Sequence, residues 1–94
     1  MTVERLLNSV GKRTFVKYYN NFKNQSSSYC ISHFQEDFTD KAKASKTSHA
    51  KTIFREGKEI EALQLIVKSC RVDEDVRLIA KGLLLEMQLK NKEK

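Results

Sequence analysis

Residues 45–70 read SKTSHAKTIFREGKEIEALQLIVKSC, and the spacing of their apolar side chains decides the fold. Ala50, Ile53 and Phe54 recur at steps of three and four, which puts them on one side of a helix. Gly57 stands where helices end in a left-handed glycine. Ile60, Leu63, Ile66, Val67 and Cys70 then restart the same period. Two amphipathic helices joined at a glycine predict an all-α protein.

Working outward, the rest of the chain agrees. There is no proline and there are only three glycines, too few turn-formers for the many corners of an all-β fold. Thr2 can cap a first helix, with Val3, Leu6, Leu7 and Val10 on one face and Gly11 as its stop. Thr14 can cap a second, in which Phe15, Tyr18, Tyr19 and Phe22 share a face, although the run FVKYY is also strand-like. Serines 26–28 supply the cap of a third helix, about Ser28–Glu36, with Cys30, Ile31, Phe34 and Phe38 as its stripe. Residues 37–45 have weak periodicity and read as a loop or a short turn. Asp73 caps a last helix that runs to about Leu89. The expectation is a compact bundle of about five helices with a helix-turn-helix-like central part. It forms one domain over residues 1–90, followed by a frayed charged tail at 91–94.

Charge is distributed unevenly. Residues 1–58 hold eleven Lys/Arg against five Asp/Glu, whereas residues 59–94 hold seven of each, so the whole excess of +6 lies in the first part. Lys41, Lys43, Lys46, Lys51, Arg55 and Lys58 face a single acid, Glu56, within residues 41–58. Lys12, Arg13, Lys17 and Lys23 form a second set with no acid among them. Clustering of this kind is the electrostatic footprint of a polyanion-binding surface, and it is also what a solvated lysine-rich face looks like. On a helix over 46–56, Ser48, Lys51, Thr52 and Arg55 fall opposite the apolar side, with Thr47 and His49 flanking. Long cations can reach phosphates or guanine edges, and short hydroxyls let a backbone approach.

A short apolar helix, a connection and then a basic, hydroxyl-rich helix over residues 14–57 resembles the helix-turn-helix proteins. The resemblance implies DNA, ahead of RNA, as partner. Helix 46–56 would lie in the major groove through Ser48, Lys51, Thr52 and Arg55, with Thr47 at its entry. Lys12, Arg13, Lys17, Lys41, Lys43 and Lys46 would neutralise phosphates. The connection DFTDKAKAS is longer than the usual tight turn. A second resemblance runs through AKTIFREGKEIEAL, which is similar to the helical hairpin of a tetratricopeptide unit. It implies a peptide-binding or scaffolding module, but Glu59 stands where that pattern wants an apolar residue, and only one unit is present.

The last helix is apolar on two sides. Val76, Ile79, Ala80, Leu83 and Met87 form one stripe, and Leu78, Gly82, Leu85 and Leu89 form another opposite it. Leu78, Gly82, Leu85 and Leu89, with Leu65 of the preceding helix, are the expected interface residues, facing the first helix of the chain, a second subunit or a protein partner. This gives the alternative function, a helical interaction or assembly module.

No catalytic chemistry is legible. Cys30, His33, His49 and Cys70 have no recognised zinc spacing, and Glu36, Asp37 and Asp40 read as solvated acids at a helix end. There is no phosphate-cradling glycine loop and no nucleophile elbow, so no enzyme, cofactor or metal is expected. No apolar run reaches the roughly 20 residues of a membrane span, and the charged N-terminus is not a signal peptide. Both cysteines are read as reduced and buried, which places the protein in the cytoplasm.

Overall fold

The computed structural model describes residues 2–92, and every regular element among them is a helix. Helix α1 spans Val3–Val10; the Thr2 hydroxyl accepts from the Arg5 amide at 3.2 Å, and Val3, Leu6, Leu7 and Val10 are buried along one side. Gly11, at φ 91°, ends it. Helices α2 (Lys12–Lys17) and α3 (Tyr19–Asn24) follow. The i→i+4 bonding carries across their junction, with the Tyr18 amide donating to Thr14 and the Phe22 amide to Tyr18. The expected second helix is therefore present but begins at Lys12 and bends at Tyr18. Thr14 is buried inside its first turn instead of capping it.

Helix α4 is only Ser27–Ser32, capped by Ser26. Its last turn closes with the His33 amide shared between the Tyr29 (3.1 Å) and Cys30 (3.2 Å) carbonyls, and the Ser32 hydroxyl (2.9 Å) and the His33 ring nitrogen (2.8 Å) also engage the Tyr29 carbonyl at this C-terminus. Phe34 and Phe38 thus fall beyond the helix predicted to carry them. They still pack: the Phe34 ring lies 4.9 Å from Tyr18 and 5.7 Å from Phe38.

Helix α5, Asp40–Arg55, starts well before the expected 46 because Thr39 is its cap, accepting from the Ala42 amide at 3.1 Å. Most of the expected loop 37–45 is its first turns. Its end follows the sequence reading: the Gly57 amide donates to Phe54 and the Lys58 amide to Ile53, a Schellman closure with Gly57 at φ 68°. Helix α6 (Glu59–Lys68) and helix α7 (Glu74–Lys92) form a hairpin around Ala62, Leu63, Ile66, Val76 and Ala80. Helix α7 therefore reaches residue 92; the rest of the expected tail, 93–94, lies outside the described residues.

Among the described residues there are seven helices where about five were expected: the sequence marks six helical segments, and the second of them divides into α2 and α3. Helix α5 is central, packing on α1, α3 and α4 through Thr47, Ala50 and Ile53. Helix α1 runs antiparallel to it, with Val10 at Lys46 and Val3 beside Lys58. Phe54 stacks on Phe15 (5.6 Å) and meets Tyr19 edge-on (5.0 Å), linking α5 to α2 and α3. The Tyr19 hydroxyl donates to the Met87 sulfur at 2.9 Å and ties α7 to that cluster. Burial pushes the Tyr19 phenol up to about 12, with Glu59 and Glu86 adding to the effect.

Candidate functional site

Three of the basic-face residues point outward. Lys41, Ser48 and Arg55 are exposed, and their spacing of seven aligns them along one line of α5, opposite Ile53. Lys51 and Thr52 are half-buried beside that line. The Thr52 hydroxyl donates to the Ser48 carbonyl at 3.0 Å and accepts from the Arg55 guanidinium at 3.2 Å. The Lys51 ammonium donates to the Gln25 carbonyl. That side chain also draws down the Cys30 thiol, yet burial dominates and holds the thiol above its ordinary value.

Two expected contact residues are occupied elsewhere. Thr47 is 1% exposed and lies inside the core, so it cannot stand at the entry to a groove. Lys46 is half-buried, its ammonium 3.1 Å from the Val10 carbonyl and 4.8 Å from the Phe38 ring centre. It closes the C-terminus of α1, where helices favour a cation. Lys43, also half-buried, sits toward the inner side of α5.

The second basic set is divided. Lys12 and Arg13 line an open cleft of about 350 Å³ between the α1–α2 corner and the α6–α7 loop, together with Arg71. Arg13 is ion-paired with Asp73 across that cleft, which joins the predicted cap of α7 to the start of α2. Arg71 was not singled out by the sequence, where it stands alone between a cysteine and a valine. Lys17 is exposed but bonded to Glu36 at 3.2 Å, and Tyr18 donates to the same carboxylate at 2.5 Å. Burial acts to raise Glu36, but these two donors outweigh it and hold the carboxyl below its ordinary 4.5.

On α7, Leu78 (60%), Leu85 (53%) and Leu89 (62%) are exposed, on the side opposite Val76 and Ala80. The first helix of the chain does not cover them. Ile79, expected inward, is 50% exposed and flanks the ridge, while Leu84 is the residue that turns toward the core. Leu65 does not belong to the ridge; it is half-buried against the core, beside α1.

Cys70 is exposed, contrary to expectation, because α6 ends at Lys68 and leaves it in the loop. Cys30 is buried, its thiol 3.2 Å from the Asn21 carbonyl. Among the described residues no group of three His, Cys, Asp or Glu side chains could hold a metal ion, and no helix is long and apolar enough to cross a membrane. Comparison with family models, with curated proteins and with solved structures finds no match to this chain.

Proposed function

We propose that the protein binds duplex nucleic acid, DNA ahead of RNA, through the outward face of α5. The observation that carries this reading is the unopposed line of Lys41, Ser48 and Arg55, flanked by Lys51 and Thr52. Among the described residues the ion pairs involve Arg13 and Lys17, and none reaches α5. The line extends about 21 Å at 1.5 Å per residue, long enough to follow a groove wall. The Thr52 hydroxyl braces Arg55, which lowers the entropy lost when its guanidinium meets a phosphate. Helices α4 and α5, with the connection 33–39, act as a helix-turn-helix-like unit in this reading. A cytoplasmic setting with reduced thiols suits it.

The contact set is smaller than the charge count suggests. Lys46 serves α1, Arg13 and Lys17 have acidic partners, and Thr47 is buried. Lys51 holds the Gln25 carbonyl, so with Lys58 joining Lys41 and Arg55 about three phosphates are contacted, giving a log–log salt slope near −3. The test is binding to a random duplex at two salt concentrations, for wild type and for Lys51→Glu/Arg55→Glu. The double variant should weaken binding and flatten the slope by about 1, the contact of Arg55. Affinity independent of salt, or no complex at low salt, would end this reading.

The second reading, an interaction module, is favoured by the exposed leucines of α7. Isolated apolar side chains are ordinary on a surface, but an aligned ridge is not.

A further inference from the structure

We infer that the cleft between the α1–α2 corner and the α6–α7 loop is a binding site for a small phosphate monoester. None of its lining residues belongs to α5, so this site stands or falls separately from the proposed nucleic-acid face.

Charge selects an anion. Lys12 and Arg13 line the cleft from the start of α2, Arg71 lines it from the loop before α7, and Asp73 is the one carboxylate among them. Three cations against one acid leave +2. A phosphate monoester carries about −1.5 to −2 at neutral pH and is the complement of that charge. Asp73 is already engaged by Arg13, and no ion pair among the described residues reaches Lys12 or Arg71. The Lys12 ammonium has only the neutral Asn8 amide oxygen, at 3.4 Å. An arginine fork and a lysine point charge, entering from two sides, suit the several oxygens of a phosphate.

The wall that carries Arg71 is tied down. The Ser69 hydroxyl accepts from the Arg71 amide at 3.3 Å, and the Arg77 guanidinium donates to the Ser69 carbonyl at 2.7 Å, which fastens the loop to α7. Arg77 has no ion-pair partner among the described residues, and its Nε is buried without an acceptor. Its charge therefore adds to the positive field behind the loop. Glu74 and Asp75 follow Asp73 but are exposed and do not line the cleft.

Shape selects an ester over a bare ion. The volume, about 350 Å³, is at the lower end of small-ligand sites and exceeds the needs of one phosphate group. Val72 and Val76 give the cleft an apolar side, on which the organic part of the ligand can rest. Past Asn8, Lys12 and Ser69 the cleft continues into a second hollow of about 220 Å³.

The measurement is a titration followed by amide chemical shifts, in low-salt buffer free of phosphate. Phenyl phosphate should shift the amides of residues 8–13 and 69–76, with a Kd on the order of 0.1–1 mM. Inorganic phosphate, which lacks the ring, and benzoate, which has the ring but a single charge, should each bind about tenfold more weakly. Arg71→Gln, at an exposed position, should raise the Kd for phenyl phosphate about tenfold while melting like wild type. Asp73→Asn keeps a capping side chain and removes the opposing charge, so it should tighten binding about threefold. Glu74→Gln removes a charge one residue further on, outside the cleft, and should change the Kd less than about twofold. That contrast separates a site from general attraction to a basic surface. An excess of random duplex without terminal phosphates should leave phenyl phosphate in place. The proposal is overturned by any one of five results: no shifts with phenyl phosphate, equal affinity for inorganic phosphate, no effect of Arg71→Gln, equal responses to Asp73→Asn and Glu74→Gln, or displacement by the duplex.

Discussion

The Lys46 ammonium donates to the Val10 carbonyl at 3.1 Å, joining the centre of α5 to the last turn of α1 across 36 residues of sequence. A cation that charge counting assigns to a polyanion is part of the scaffold. Lys46→Met keeps the stem over Phe38 but removes the donor. The loss should be about 1–2 kcal/mol in urea unfolding, with an unchanged salt slope for DNA. Arg55→Gln should do the reverse, flattening the slope and sparing stability.

Thr47 shows a different use of the same helix. Its hydroxyl is buried among apolar neighbours without a hydrogen-bond partner. Thr47→Val removes that orphan group and retains the shape, so it should stabilise the fold by about 1 kcal/mol. A rise in melting temperature is the expected result, and a fall would mean the hydroxyl has a partner in solution.

The glycines separate cleanly. Gly57 sits at φ 68° with open space around it, so Gly57→Ala costs backbone strain alone, about 1–2 kcal/mol. Gly82 lies within α7 at ordinary helical geometry and is equally open, so Gly82→Ala should stabilise the monomer by about 1 kcal/mol. Chemical denaturation of the two variants at low protein concentration should move in opposite directions.

Glu36 sets the acid limit of the α2–α4 corner. Its folded pKa is depressed, so its stabilising contribution is complete above the ordinary 4.5 and disappears as pH falls through the lower folded value. Tyr18→Phe removes the donor at 2.5 Å and the acceptor for the Gln35 amide at 2.9 Å. Stability measured from pH 7 to pH 2 should then show a shallower fall below 4.5 than wild type.

Most of the second half of the fold was legible because it is written in large apolar side chains. Ile53, Leu63 and Ile66 recur at helical spacing on either side of Gly57, and the observed helices follow them. The first turns of α5 were not legible, since Ala42 and Ala44 make no apolar stripe there. Only Thr39 followed by Asp40 marked the start. The end of α4 was missed for another reason: the apolar periodicity continues through Phe34, while Ser32 and His33 cap the helix C-terminus at the Tyr29 carbonyl, which no spacing of apolar residues signals. At the basic face, the outward position of Ser48 and Arg55 follows from lying opposite Ile53. The burial of Thr47 and the role of Lys46 do not, because both depend on where α1 docks. A helical wheel distinguishes inner from outer but does not say which neighbour covers a flank.

The pairing of α1 with α5 also has a consequence for biosynthesis. Val3, Leu6, Leu7 and Val10 leave the ribosome early, but their cover includes Ala50 and Ile53, made much later. At roughly 5–20 residues per second, the first helix waits on the order of several seconds with its apolar side uncovered. The α6–α7 hairpin has no such delay, since its two halves are neighbours in the chain. Helix α1 thus waits longer for its cover than either half of that hairpin does, and it is where a chaperone would have the longest opportunity to bind.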